Sequence, residues 1–294
     1  MTYFKKTYEL INKGPKAMSW NHYEERITKE WSDFLEDVSK SKNEKIYQDF
    51  FEENPCLIPG AFGLIGRSGH APYPGAVISQ PQLSGLFKRI PDFMWIANDS
   101  GTIYPVFIEI EAPSKRWFLD NGKQSDDFTQ AHNQLAEWRQ WFSRPNNVNL
   151  FLEYFQIPTS LTKGRAIRPL FLLIYGRRSE FEQKPYLNEK RKYLAREDEF
   201  FMTYDSLAPD YNARNLLCVK IKDGNFIGIS VPPTFTLGPT YADWHSKIVG
   251  KEDAVKRNRS ITPARKEFLL KRIPYWDAWG KSVEKGIINT RDEE

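Results

Sequence analysis

The chain has 294 residues, 40% of them hydrophobic and 27% charged, with a formal net charge of +4. This is ordinary globular usage. It excludes a collagenous or wholly disordered chain, and the length suits one large domain or a core with extensions, since domains hold roughly 100 to 200 residues. No apolar run approaches the roughly 20 residues that cross a bilayer, and Met1 to Lys16 lacks the unbroken apolar core of a secretion signal, so a cytoplasmic location is expected.

From Tyr23 to Asn54, apolar residues at helical spacing (Ile27, Trp31, Phe34 and Leu35, then Ile46, Phe50 and Phe51) predict one or two helices, closed by Pro55. Gly60, Gly63, Gly66, Gly69, Pro72, Pro74 and Gly75 predict a loop. Strands are expected at 77–82, 87–97 and 102–111, the last two joined by a turn at Asn98-Asp99-Ser100-Gly101. Phe128, Ala131, Leu135, Trp138 and Phe142 recur at steps of 3 and 4, which predicts an amphipathic helix over 126–142, ended by Arg144-Pro145. Leu170 to Tyr175 reads as a buried central strand, Leu187 to Glu199 as a further helix, and 216–222 and 225–231 as strands. This order predicts an α/β fold, a mixed sheet flanked by helices, because the short turn at Asn98 makes two neighbours antiparallel. Cys56 and Cys218 are far apart in apolar settings and suit reduced core thiols.

Alternation in Val106 to Glu111 places Val106, Ile108 and Ile110 on one face and Phe107, Glu109 and Glu111 on the other. Carboxylates two residues apart on a strand lie about 6.6 Å apart, near enough to converge on one divalent ion with the Ile110 carbonyl between them. Glu is depleted in strands, so this pair asks for more than a polar edge. Pro91-Asp92 begins the preceding apolar run and can bring a third carboxylate to the same place; the alternative for Asp92 is a turn or cap beside Pro91. Mg²⁺ or Mn²⁺ takes oxygen ligands of this kind and would polarise a phosphodiester and lower the pKa of a bound water. His22, His70, His132 and His245 are dispersed without zinc spacing, and no Walker-type phosphate loop is present.

Pro91-Asp92 followed by Glu109-Ile110-Glu111 resembles the PD-(D/E)xK nuclease motif, with Glu111 where most members carry lysine. The resemblance implies that Lys115 reaches back to stabilise charge on phosphate; a surface lysine after a strand is the alternative. Gln134-Leu135-Ala136-Glu137-Trp138 is similar to the glutamine and aromatic motif that follows the catalytic strand in several nuclease families. It implies that Gln134 holds a metal-bound water or a phosphate, the alternative being a solvated helix face shared with Gln130, Glu137 and Trp141. Together with Phe50-Phe51-Glu52-Glu53-Asn54-Pro55 and Leu173-Ile174-Tyr175-Gly176-Arg177, these motifs resemble the Shedu antiphage defence nucleases, most strongly from about Gln48 to Leu207. That family implies a restriction-endonuclease-like fold, DNA as substrate, a homo-oligomer (dimer or tetramer) and immunity against bacteriophage. Arg177 matches its Gly-Arg step, as a DNA contact or as a structural arginine.

Between Lys247 and Arg272, nine basic residues face three acids, a local net of +6 that exceeds the charge of the whole chain. Such a stretch, with Lys256, Arg257 and Arg259 at its centre, suits phosphate contacts or a solvated helical face. The expected organisation is an N-terminal helical segment (1–41), a nuclease domain (42–215) and a basic C-terminal extension on the DNA or oligomer surface (216–294). The functional expectation is a metal-dependent DNA endonuclease with Asp92, Glu109 and Glu111 as metal ligands and Lys115 and Gln134 assisting. Two other classes are a catalytically lapsed nuclease-fold DNA-binding protein and a carbohydrate-active protein, the latter because aromatics reach 15% with nine Trp and paired carboxylates also serve glycosidases.

Overall fold

Two serines set the start of the helices expected near residues 23 and 126. Ser19 accepts from the N–H of His22 and Ser125 from that of Phe128, each satisfying a backbone donor that the first helical turn leaves free. A computed structural model describes residues 5–62, 64, 69–83 and 90–294. Residues 1–4, Gly63 and Gly66 of the expected loop, and residues 87–89 of the expected second strand lie outside the described residues.

In chain order the elements are α1 (Trp20–Glu36), α2 (Glu44–Glu53), β1 (His70–Ser79), β2 (Phe93–Asn98), β3 (Thr102–Ile110), α3 (Asp126–Phe142), α4 (Pro145–Tyr154), α5 (Thr159–Thr162), β4 (Ala166–Ile167), β5 (Leu170–Ile174), α6 (Pro185–Leu194), β6 (Glu199–Met202), β7 (Leu217–Lys222), β8 (Asn225–Ser230), α7 (Pro239–His245), β9 (Ile248–Val249), α8 (Lys251–Arg257) and α9 (Pro263–Lys281). Among the described residues, the strands form one mixed sheet in the order β6-β5-β3-β2-β1-β7-β8-β9, with β4 beside the start of β3. The fold is the expected α/β sheet flanked by helices. β2 and β3 are antiparallel through the turn at Asn98, where Asp99 Oδ1 accepts from Gly101 and Thr102. β5 lies parallel to β3, and β7 parallel to β1. One face of the sheet (Val77, Phe93, Trp95, Val106, Ile108, Ile110) packs under α1 and α2. The other (Met94, Ile96, Phe107, Phe171) packs under α3, α4 and the C-terminal helices.

Four local expectations are corrected. The loop expected to Gly75 gives way at His70 to β1, which runs to Ser79. Pro72 and Pro74 are tolerated there because that half of β1 pairs with β2 through two register shifts, and β7 joins only from Ala76. α3 ends at Phe142 before Arg144-Pro145 as expected, but Pro145 then opens a helix that was not expected, α4, at the first-turn position where a missing N–H costs no hydrogen bond. The helix expected to reach Glu199 stops at Leu194, and Glu199 opens β6. Trp141, expected on a solvated face, is buried.

The C-terminal residues extend the same sheet. Three of the nine basic residues between 247 and 272 are interior braces, which corrects the reading of that stretch as one solvated surface. Lys251 donates to the carbonyls of His245 and Ile248 and pairs with Asp277; Arg265 binds the carbonyls of Pro15, Phe235 and Glu294; Arg272 binds the Glu294 carboxylate. Cys56 and Cys218 are free and buried. Among the described residues, no helix is long and apolar enough to cross a membrane.

Glu199 joins α3 to the edge of the sheet. Its fully buried carboxylate accepts from His132, Arg139 and the Arg196 N–H. Burial pushes its pKa up, but these three donors outweigh burial and hold it at about 2. A depressed carboxylate stabilises the fold above its unfolded value of 4.5, and that contribution is lost as pH falls towards 2. Glu199→Gln should therefore cost about 3 kcal/mol at neutral pH and flatten the loss between pH 4.5 and 2, measured by denaturant unfolding across pH.

Candidate active site at the end of the sheet

Because Phe93 pairs with Ile108 across antiparallel β2 and β3, the residue before β2 and the residues that end β3 meet at one end of the sheet. Asp92 stands just before β2, and its Oδ2 accepts from the Ile110 N–H at 2.9 Å. Glu109 is the penultimate residue of β3 and Glu111 follows its end; each is 7% exposed. The structure thus brings together the three acids expected from the sequence.

A fourth acid was missed. Glu44, at the start of α2, places its carboxyl against that of Glu111, while Asp92 and Glu109 form a second carboxyl pair. Glu44, Gln48 and Glu52 recur at helical spacing and read as the solvated side of an amphipathic helix. The available signal was that this side carries Gln48 and Glu52 directly beside the buried Tyr47 and Phe51.

Lys115 completes the cluster, its ammonium bound to Glu111. The loop that carries it is held in several places. Ser114 N–H donates to the Ser41 carbonyl at 3.1 Å, and Glu180 accepts from the N–H groups of Trp117 and Phe118. Gly176, at φ +59°, passes so close that a Cβ would lie 2.8 Å from the Lys115 carbonyl oxygen. That contact gives the Gly176-Arg177 step a structural reason.

The electrostatics follow from crowding. Burial raises Asp92 to about 8, against the pull of the Ile110 N–H, and the charges of Glu44 and Glu111 add to the rise. Burial also raises Glu44 to about 7, with repulsion from Glu111 next, and lifts Glu109 well above the usual carboxylate range. Lys115 is lowered by burial but held above its ordinary value by Glu111. Glu109 Oε2 is buried with no hydrogen-bond partner. Among the described residues, no three His, Cys, Asp or Glu side chains are already spaced as metal ligands, and the acids stand as two pairs. Their chemistry nonetheless fits a hard divalent cation, which takes oxygen donors alone and would meet the unpartnered Glu109 Oε2.

The other expected site residues are more scattered. Gln134 is half-buried on α3, and no hydrogen bond among those described joins it to the acids. Arg177 binds Glu36, Asp205 and the Leu35 carbonyl, and it lines a cleft of about 480 Å³ with Lys115, Arg116 and Lys184. Arg257 and Arg259 line a groove of about 710 Å³ whose other wall is the second half of α2. Lys256 is exposed and paired with Asp253.

A carboxyl whose folded pKa lies above its unfolded one favours the fold below the unfolded value and loses that contribution as pH rises through the folded value. With divalent cations chelated, the melting temperature should therefore fall as pH rises towards 7 to 8, the values of Glu44 and Asp92, and the fall should shrink in Asp92→Asn. Calorimetry across pH 5 to about 9 checks this.

A family model described as Shedu protein SduA, C-terminal, matches residues 41–208. No curated protein was found to match the chain. The matched span covers more than half of the chain and holds Glu44, Asp92, Glu109, Glu111 and Lys115, so the protein belongs to the Shedu family of antiphage defence proteins.

Proposed function

We propose that the chain is a metal-dependent DNA endonuclease acting against bacteriophage. The observation that carries this reading is the gathering of Glu44, Asp92, Glu109 and Glu111 at one end of the sheet, with Lys115 bound to Glu111. Asp92 and Glu109 are the residues that would hold Mg²⁺ or Mn²⁺, with Glu111 beside them. Such an ion, when bound, polarises the phosphodiester and lowers the pKa of a water.

The chain's own groups do the rest. Glu111, held by Lys115 and Glu44, stands ready to accept a proton. The Lys115 ammonium, at the mouth of the cleft shared with Arg116, Arg177 and Lys184, stabilises charge developing on a phosphate oxygen. Arg257 and Arg259 offer further phosphate contacts at the groove along α2. A homo-oligomeric, cytoplasmic protein completes the reading, supported by the family alone. The lapsed-nuclease alternative draws on one observation, Glu111 in the position where lysine is usual. The carbohydrate-active alternative loses its aromatic support, because seven of the nine Trp are buried and Trp20 and Trp244 are partly so, and keeps only the paired carboxylates.

Glu109→Ala should lower Mg²⁺-dependent or Mn²⁺-dependent cleavage more than about 100-fold while leaving DNA binding in place, and Lys115→Met should lower kcat about 100-fold. Cleavage assays on linear, nicked and circular DNA test both. If the wild type cuts none of them with either ion, the endonuclease reading fails.

A further inference from the structure

The basic stretch near the C-terminus is partly spent on interior braces, but a second concentration of positive charge forms where two distant segments meet. Residues 113–123 and 177–193 together hold nine Lys or Arg against four Asp or Glu, a net of +5 that exceeds the +4 of the whole chain. Both segments line the cleft of about 480 Å³ that Lys115 shares with the acid cluster. Lys184 donates to the Asp120 carbonyl and Lys190 to that of Gly122, which ties the 119–122 loop to α6. Arg191 lies over the rings of Trp117 and Phe181, 5.1 Å from each centroid. The loop and the helix thus present one surface.

Little of this charge is neutralised. Among the described residues of the two segments, Lys115, Arg116 and Arg177 pair with carboxylates, whereas Lys123, Arg178, Lys184, Lys190, Arg191 and Lys192 do not. Glu180, one of the four acids, is turned inward to the N–H groups of Trp117 and Phe118. Large side chains stand exposed in the same place: Tyr186 is 59% exposed, Tyr193 82% and Leu119 45%. Tyr186 and Tyr193 are seven residues apart, so they share one face of α6 with Lys190 between them, about 10.5 Å apart along its axis. Tyr186 lies against the loop, its hydroxyl 3.6 Å from where a Cβ on Gly122 would stand. A second copy of the chain is a poor occupant, because a two-fold contact would set this charge against itself. A polyanion with flat apolar groups complements both the charge and the rings. Bases inside a duplex are stacked on one another and offer a ring no face, whereas those of an unpaired strand do.

We propose that α6 and the 116–123 loop form a docking face for an unpaired strand of DNA and lead it to the acid cluster, Tyr186 and Tyr193 each stacking on a base while Lys123, Lys184, Lys190 and Lys192 contact phosphates. The inference rests on the endonuclease reading for the choice of DNA as the polyanion. The cleft supplies continuity: Lys184 and Leu187 of the face line it together with Lys115 of the cluster, so a strand lying on α6 carries its next phosphates towards Lys115. Cutting is thereby directed to DNA in which a strand has separated, at a gap or a flap.

Fluorescence anisotropy with divalent ions chelated, so that nothing is cut, compares an oligo-dT strand with a duplex of equal length. Tyr186→Ala combined with Tyr193→Ala should weaken single-strand binding about 10-fold to 100-fold and duplex binding less than about threefold, at an unchanged melting temperature. Lys123→Ala combined with Lys192→Ala should make the slope of log affinity against log salt shallower by about 1.4 on the single strand. A single-strand affinity that holds in the folded tyrosine variant overturns the proposal, as does an equal loss on strand and duplex. Loss of binding to phosphatidylserine vesicles with oligonucleotide affinity kept would assign the face to a membrane and overturn it too. Independently of any variant, a strand carrying iodouracil should crosslink under light to Tyr186 or Tyr193 of the wild type, and crosslinks confined to other parts of the chain contradict the docking face. Wild type that binds the strand through these tyrosines but cuts no DNA with Mg²⁺ or Mn²⁺ supports the docking face and defeats the endonuclease reading alone. Wild type that cuts gapped DNA no better than the tyrosine variant does leaves that reading standing and defeats the docking face.

Discussion

Carboxylates repel one another most where water is scarce, and the end of the sheet where β2 begins and β3 closes gathers Asp92, Glu109, Glu111 and Glu44 in such a place. The surroundings answer this repulsion only in part. The Ile110 N–H donates to Asp92, and Lys115 neutralises Glu111. Asp92 and Glu109 are left as a carboxyl pair that either shares a proton or takes up positive charge from outside. A structure arranged for stability alone would gain by replacing one of these acids with an apolar side chain of similar volume. Their retention on rigid elements at the rim of a sheet is the arrangement expected of a site that binds a cation.

The scaffold around the acids is correspondingly stiff. β3 is flanked by β2 and β5 and packed on both faces, so the backbone that presents Glu109 has little freedom. α2 is fixed across the sheet end by Phe51 and Glu52, and the Lys115 loop is pinned by Ser41, Glu180 and the close approach of Gly176. Precision at the acids thus comes from packing several residues away, which is how first-contact groups are held to useful tolerances.

Much of this was legible in the sequence, for identifiable reasons. The alternation in Val106 to Glu111 and the turn at Asn98 are local signals, and local signals placed β3, the end of β2 and two of the acids correctly, whereas β2 opens only at Phe93 and not within residues 90–92 as expected. The 3 and 4 spacing of Phe128 to Phe142 did the same for α3. What escaped depended on partners far along the chain. Pro72 and Pro74 are strand residues because β2 pairs with that half of β1 while β7 joins only beyond them. Glu199 is a strand residue bound by His132 and Arg139, not the end of a helix. Lys251, Arg265 and Arg272 look like a phosphate-binding face until Asp277, Glu294 and buried carbonyls are seen to consume them. Glu44 and Gln48 have the polarity of a solvated helix side, and only the placement of α2 over the sheet end turns that side inward.

The C-terminal strands extend the sheet from β1, and Arg257 and Arg259 come to line one groove with α2, the helix that carries Glu44. The acid cluster and the basic groove are therefore two ends of one helix, about 14 Å apart along its axis. The account turns on whether the cluster takes a divalent ion. Crystals soaked in Mn²⁺ and examined by anomalous scattering test it most directly: a peak in contact with both Asp92 and Glu109 is expected. Carboxyls still joined to each other, with no peak between them at a Mn²⁺ concentration that saturates the protein in solution, would contradict it.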